Sequence, residues 1–183
     1  MKITTTARQP FEKCALDIVG PMTETMSGNK YILTFQDDLS KFIVRVVIPI
    51  PQHDAETVAK EFVLNIVLKF GAPAQILTDQ GSNFLSDLFK SMCKLLKIKK
   101  IQTTAFHPES NGSLEKRHRV LAEYLQRYVR EDQTNCDEGI PYAAYVYNTA
   151  VHTTTAYRPF ELAYGFISEV SSALRTTPNM QYN

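Results

Sequence analysis

AQILTDQGSNFLSDLFKSMCKLLKIKKIQTTA, residues 74–105, reads as strand, turn, helix and strand in a single pass. The short apolar run "AQILTD" ends at Asp79, and the turn-rich "QGSNF" follows it. "SDLFKSMCKLLK" then has helical periodicity, with Ser86 placed as its cap, and "KKIQTTA" returns to an extended pattern. Two strands joined through a helix make a crossover unit, which sets them parallel in one sheet.

Upstream, "CALDIVGPM" reads as a buried strand broken at Gly20-Pro21. "YILTFQDD" and "KFIVRVVIPI" are two β-rich runs separated at Leu39-Ser40, which predicts a hairpin closed by Pro49 and Pro51. "DAETVAKEFVLNIVLKF" predicts a helix over 54–70, capped by Asp54 and stopped by Gly71. Downstream, a helix is expected from about Ser110 to Glu131, where Leu114, His118, Leu121, Leu125 and Tyr128 make one apolar stripe. His118 on that stripe reads as a buried histidine rather than a ligand. "EGIPYAAYVYNTAVH" is a further aromatic-rich helix with Pro141 in its first turn, and "RPFELAYG" a short helix after Pro159. Hairpin strands followed by crossovers give an α/β fold, a mixed central sheet flanked by helices.

The 183 residues are 44% hydrophobic and 21% charged, which suits one globular domain with a sizeable core. Residues 1–9 read as a flexible N-terminal segment, 10–166 as the core and 167–183 as a C-terminal tail. No apolar stretch reaches bilayer length and no signal-peptide pattern opens the chain, so no membrane partner is expected. Three cysteines without CxxC spacing point to a reducing compartment rather than a disulfide framework or zinc knuckle. A net charge of +1, from 20 Lys and Arg against 19 Asp and Glu, argues against polyanion binding by bulk charge. Local basic patches remain at "KLLKIKK" (94–100) and "EKRHR" (115–119).

Three carboxylates stand out. Asp17 interrupts the apolar "CALDIVG", where a charge is costly unless paired, solvated at an edge or bound to a cation. Asp79 closes a strand before a turn, a place where functional loops begin in crossover sheets and where aspartate is also common. Glu115 opens a helix after a Pro/Asn/Gly-rich loop, where it also suits the helix dipole. Taken singly, each has a plain structural explanation. Brought to one point, the three would repel without cations, and their hard oxygens would select Mg²⁺ or Mn²⁺ over zinc. Two such ions about 4 Å apart would serve both the attacking and leaving oxygens of a phosphoryl displacement.

The words around these residues carry a resemblance. "LDIVGPM" around Asp17, "ILTDQGSNF" around Asp79, "FHPESNGSLEKRHR" around Glu115 and the later "YNTAVHTTTAYRPFELAYG" occur in order. Between Asp79 and Glu115 lie 35 residues (80–114). The chain resembles the catalytic core of retroviral and long-terminal-repeat retrotransposon integrases, nearest to the Ty3/gypsy type, over roughly residues 10–166. The resemblance implies a ribonuclease-H-like fold with a five-stranded mixed sheet. It implies that Asp17, Asp79 and Glu115 are the catalytic metal ligands, holding Mg²⁺ or Mn²⁺, two ions in all. It implies a mobile loop at Phe106–Gly112, with His107 within it and Pro108 and Gly112 tuning its motion. DNA contacts are implied at Ser110, Asn111, Lys116 and Arg119; at Arg119 retroviral relatives usually carry a lysine, so the charge is kept and its geometry changes.

The implied chemistry is 3′-end processing of element DNA and strand transfer into target DNA. The implied partners are double-stranded DNA of both kinds, a homodimer or higher oligomer, and a host chromatin factor. Its setting would be nuclear. His53, His107, His118 and His152 lack the spacing of the family's zinc domain, and no basic module follows Phe166. The expectation is therefore a core fragment of a longer product or a domesticated remnant. Two other readings stay open: a nuclease or transposase of the same fold, and a catalytically silent core serving as a dimerisation or protein-interaction module.

Overall fold

The computed structural model describes residues 7–49, 54–102 and 136–168. Its strands are β1 (Lys13–Val19), β2 (Asn29–Asp37), β3 (Ile43–Pro49), β4 (Gln75–Thr78) and β5 (Lys99–Gln102). They form one sheet in the order β3-β2-β1-β4-β5. The β1–β2 and β2–β3 pairs are antiparallel, while β1–β4 and β4–β5 are parallel. The hairpin and the crossover unit expected from the sequence are both present.

Alternation along the strands gives the sheet two unlike faces. One face sends Cys14, Leu16, Leu33, Phe35 and Ile76 into the main core. Helix α1 (Ala55–Phe62) covers it with Val58 and Phe62; a short helix, α2 (Ser82–Leu85), adds Phe84, and α3 (Asp87–Leu95) adds Phe89 and Cys93. Phe35, Phe62, Phe84 and Phe89 are all fully buried, and each contributes about 1.5–3 kcal/mol of burial. The other face packs Ile32 against Ile140 of α4 (Cys136–Thr149). Helix α5 (Pro159–Tyr164) follows, started by Pro159 and ended by Gly165 in the left-handed region.

The caps were legible. Asp54 accepts from Thr57 N at 2.8 Å and Ser86 from Phe89 N at 3.2 Å. Three features differ from expectation. The helix expected over 54–70 contains a π-helical turn, Val63–Val67, between α1 and a closing turn Leu68–Phe70. The turn-rich "QGSNF" winds into α2 because Phe84 is drawn into the core. Pro141 lies not in the first turn of α4 but beyond it, since that helix already includes Cys136. Its missing N–H denies the Asp137 carbonyl a helical bond, at an exposed position where solvent can supply one.

Two buried polar side chains fix the hairpin end of the sheet. The Asp37 carboxylate, wholly inaccessible, accepts from Phe11 N at 2.8 Å, Ser40 N at 2.7 Å and Ser40 Oγ at 2.6 Å. Beside it, burial first and then the Asp37 and Asp38 carboxylates hold the Cys14 thiol far above its ordinary range. On edge strand β3, the Asn148 amide reaches over from α4. Its Oδ1 accepts from Ile43 N at 2.9 Å and its Nδ2 donates to Ile43 O at 2.8 Å.

Candidate active site

The parallel register of β1 and β4 pairs Lys13 with Gln75, Cys14 with Ile76, Ala15 with Leu77 and Leu16 with Thr78. The next residue on each strand is a carboxylate, Asp17 on β1 and Asp79 just past β4. Residues 62 positions apart in the chain thus stand at the same level of adjacent strands. Asp17 is half-buried and Asp79 is exposed, so the pair opens to solvent.

Local bonds orient both groups. Asp17 Oδ1 accepts from Ile18 N at 2.9 Å, and Asp79 Oδ1 accepts from Gly81 N at 2.9 Å. The buried Thr78 hydroxyl donates to Asp79 O at 3.0 Å. A Cβ placed on Gly81 would stand 3.0 Å from Asp79 Oδ1, so glycine leaves that carboxylate its room. Two accessible, all-oxygen side chains at one level suit a hard divalent cation. Among the described residues no group of three or more His, Cys, Asp or Glu side chains is gathered, so these contribute a pair.

Glu115 lies outside the described residues, as do Ser110, Asn111, Lys116 and Arg119 and the loop residues Phe106, His107, Pro108 and Gly112. Of the basic patch at 94–100, Lys94, Lys97 and Lys99 are exposed, whereas the Lys100 ammonium is buried. Burial pulls Lys100 below its ordinary range, and Cys93 and Asp79 act against that pull.

The sequence reading passed over Gly81, Thr34 and Arg45. Arg45 carried a usable signal, because it interrupts the apolar run of β3 just as Asp17 interrupts that of β1.

The connection from β1 to β2 borders this site and is firmly built. Gly20 has φ +144°, and a Cβ there would strike Lys30 O and Tyr31 Cδ1, each at 2.7 Å. Asp137 at the start of α4 accepts from Thr25 Oγ1 and Asn29 Nδ2, both at 2.9 Å. Burial alone would raise its carboxyl, but hydrogen bonds from Asn29, Thr25 and Ser27 and from Glu138 N outweigh it and hold Asp137 below the usual range. A depressed carboxyl stabilises the fold above its unfolded value, about 3.9, and loses that contribution as pH falls through the folded one. Asp137→Ala is therefore expected to unfold at lower urea than the parent at pH 7, with the gap closing towards pH 3. Urea melts at the two pH values check this, and a gap that stays constant would refute it.

A five-stranded mixed sheet with carboxylates at one level of β1 and β4 places the chain among ribonuclease-H-like α/β domains. Solved structures share that fold. The HTLV-2 integrase catalytic core domain in complex with magnesium (trimeric form) aligns with TM-score 0.67 at 20% identity, over 86% of this chain and 99% of that one. The simian T-cell lymphotropic virus intasome in complex with PP2A regulatory subunit B56 gamma aligns with TM-score 0.73 at 19% identity, over 92% and 61%. The integrase core domain family matches residues 7–108, and the chain belongs to that family. Among curated relatives, the retrovirus-related Pol polyprotein from transposon 412 of Drosophila melanogaster is 36% identical over 93% of this chain. The Gag-Pol polyprotein of feline leukemia virus is 31% identical over 85%. The chain spans 14% and 9% of the lengths of those two polyproteins.

Proposed function

We propose that this chain is the catalytic core of a DNA integrase of the retrotransposon type, acting by metal-dependent phosphoryl transfer. One observation carries the reading: the β1–β4 register sets Asp17 and Asp79 side by side in a member of the integrase core family. Asp17 and Asp79 hold Mg²⁺ or Mn²⁺, with Glu115 as the third ligand named by its motif. Bound there, the ions lower the cost of charge on the attacking and leaving oxygens. The protein keeps the two carboxylates level, Asp17 half-buried and Asp79 exposed, and Gly81 leaves Asp79 free of crowding. The substrates are double-stranded DNA of element ends and target, processed at the 3′ end and then joined.

A magnesium-bound core among the fold neighbours supports the choice of ion. The intasome neighbour, in complex with PP2A regulatory subunit B56 gamma, supports an oligomer and a protein partner; the partner proposed for this chain is a host chromatin factor. Exposed Leu64, Leu68, Tyr142 and Tyr145 offer apolar surface for self-association. Nuclear action follows from the reaction. By the same reading Ser110, Asn111, Lys116 and Arg119 touch DNA.

The test is Mn²⁺-dependent disintegration of a branched oligonucleotide that mimics the strand-transfer product. Cleavage and rejoining by the parent, absent in Glu115→Gln, is the expected result. A folded, metal-binding chain with no activity would move the assignment to a silent interaction module.

A further inference from the structure

Among the described residues four buried side-chain atoms lack a hydrogen-bond partner, and three of them lie in one row across the sheet: Thr34 Oγ1, Arg45 Nε and Arg45 Nη1. Thr34 is the Cα partner of Asp17 on one side and of Arg45 on the other. Partners across antiparallel strands sit about 4.5–5.5 Å apart and project to the same face. That face is fixed independently, because Gln36, two residues along from Thr34, donates to Tyr147 Oη of α4 at 3.2 Å. Asp17, Thr34 and Arg45 therefore share the sheet face that α4 covers, in that order from the carboxylate outward.

A buried hydroxyl and two buried guanidinium nitrogens left unpaired each carry a desolvation cost, larger for the charged group. Each such atom in a folded protein calls for a physical reason, and a functional role is one of them. The chemistry of the row sets one direction of donation along it, from Arg45 through Thr34 to Asp17. Guanidinium only donates, hydroxyl both accepts and donates, and carboxylate only accepts. Carboxylates that bind metal are themselves commonly hydrogen-bonded on their remaining lone pairs, which fixes their orientation.

We propose that Thr34 and Arg45 are positioning residues for Asp17 in the metal-loaded protein, Arg45 donating to Thr34 Oγ1 and the Thr34 hydroxyl donating to the Asp17 carboxylate. This rests on the reading of Asp17 as a metal ligand. Asp17 already accepts from Ile18 N through Oδ1, and a carboxylate has lone pairs for a further donor. Burial draws the Arg45 guanidinium down to about 10, with Tyr147 opposing, so it still carries its charge at neutral pH. A permanent cation linked through a hydroxyl would hold the carboxylate without competing for the metal's place.

The experiment measures Mn²⁺ affinity by electron paramagnetic resonance of the free ion, alongside thermal melts without metal, on the full chain. Thr34→Val removes the hydroxyl at nearly constant shape and is expected to weaken Mn²⁺ binding about tenfold, the low end for such outer residues. Thr34→Ser restores the hydroxyl and is expected to restore affinity. Arg45→Met removes an unpaired buried charge, so it should melt higher than the parent without metal while binding Mn²⁺ more weakly. A purely structural role would move both readouts the same way. Parent-like Mn²⁺ affinity in Thr34→Val, with binding lost in Asp17→Asn, overturns this inference alone. Parent-like affinity in Asp17→Asn overturns the ligand assignment beneath it.

Discussion

Asp79→Asn is expected to lose at least about 10³-fold in disintegration rate, roughly 4 kcal/mol of transition-state stabilisation. The amide keeps the shape of the carboxylate and can still accept from Gly81 N, so the loop after β4 stays as it is. What disappears is the charge beside Asp17, and with it, on the proposed assignment, the reason for a divalent ion to sit there. The metal-free protein should respond in the opposite sense. Two carboxylates at one level of adjacent strands repel when no cation lies between them, so the amide is expected to leave the melting temperature unchanged or slightly raised. Rate and melting temperature measured on the same preparation check both signs. A variant that keeps its rate would remove Asp79 from the site, and one that loses its rate by unfolding would leave the role of the charge undecided; Asp79→Glu then separates charge from geometry.

The largest stability effect is expected at the other end of the sheet. Asp37→Ala strands three donors, the part-buried Phe11 N and the buried Ser40 N and Ser40 Oγ, that now converge on one carboxylate. Losing the acceptor should cost about 4 kcal/mol, which for a domain of this size lowers the melting temperature by roughly 8–16 °C. Asp37→Asn retains one acceptor oxygen and turns an NH₂ towards the donors, so an intermediate loss is expected. Urea denaturation of both variants checks the order. An alanine variant within about 1 kcal/mol of the parent would show that these donors find other partners when Asp37 is gone.

Much of this was legible because it depends on local pattern. The run from Gln75 to Gln102 announces strand, helix and strand through periodicity and capping, and Asp54 and Ser86 cap as their positions suggest. Asp17 and Asp79 were legible as interruptions and strand endings. Their adjacency was expected only through the family resemblance, since it depends on β4 pairing with β1 rather than on anything near either residue. The π-helical turn at Val63–Val67 has no local cue in a sequence that reads as plain helix. Nothing in the run "YILTFQDD" singled out Asp37. Only the fold shows it buried, because the donors that satisfy it include Phe11, 26 residues away. Arg45 gave the same signal as Asp17, a charge in an apolar strand, but no motif drew attention to it.

Asn148 gives the sheet a boundary. An outermost strand ordinarily presents a row of unmet peptide groups to any extended chain that drifts past, including the same strand of another molecule. At Ile43 those groups are already engaged, by a side-chain amide that imitates a single peptide unit of a sixth strand. The molecule carries its own terminator. Zippering of one sheet onto the next along this edge is blocked at the start of β3.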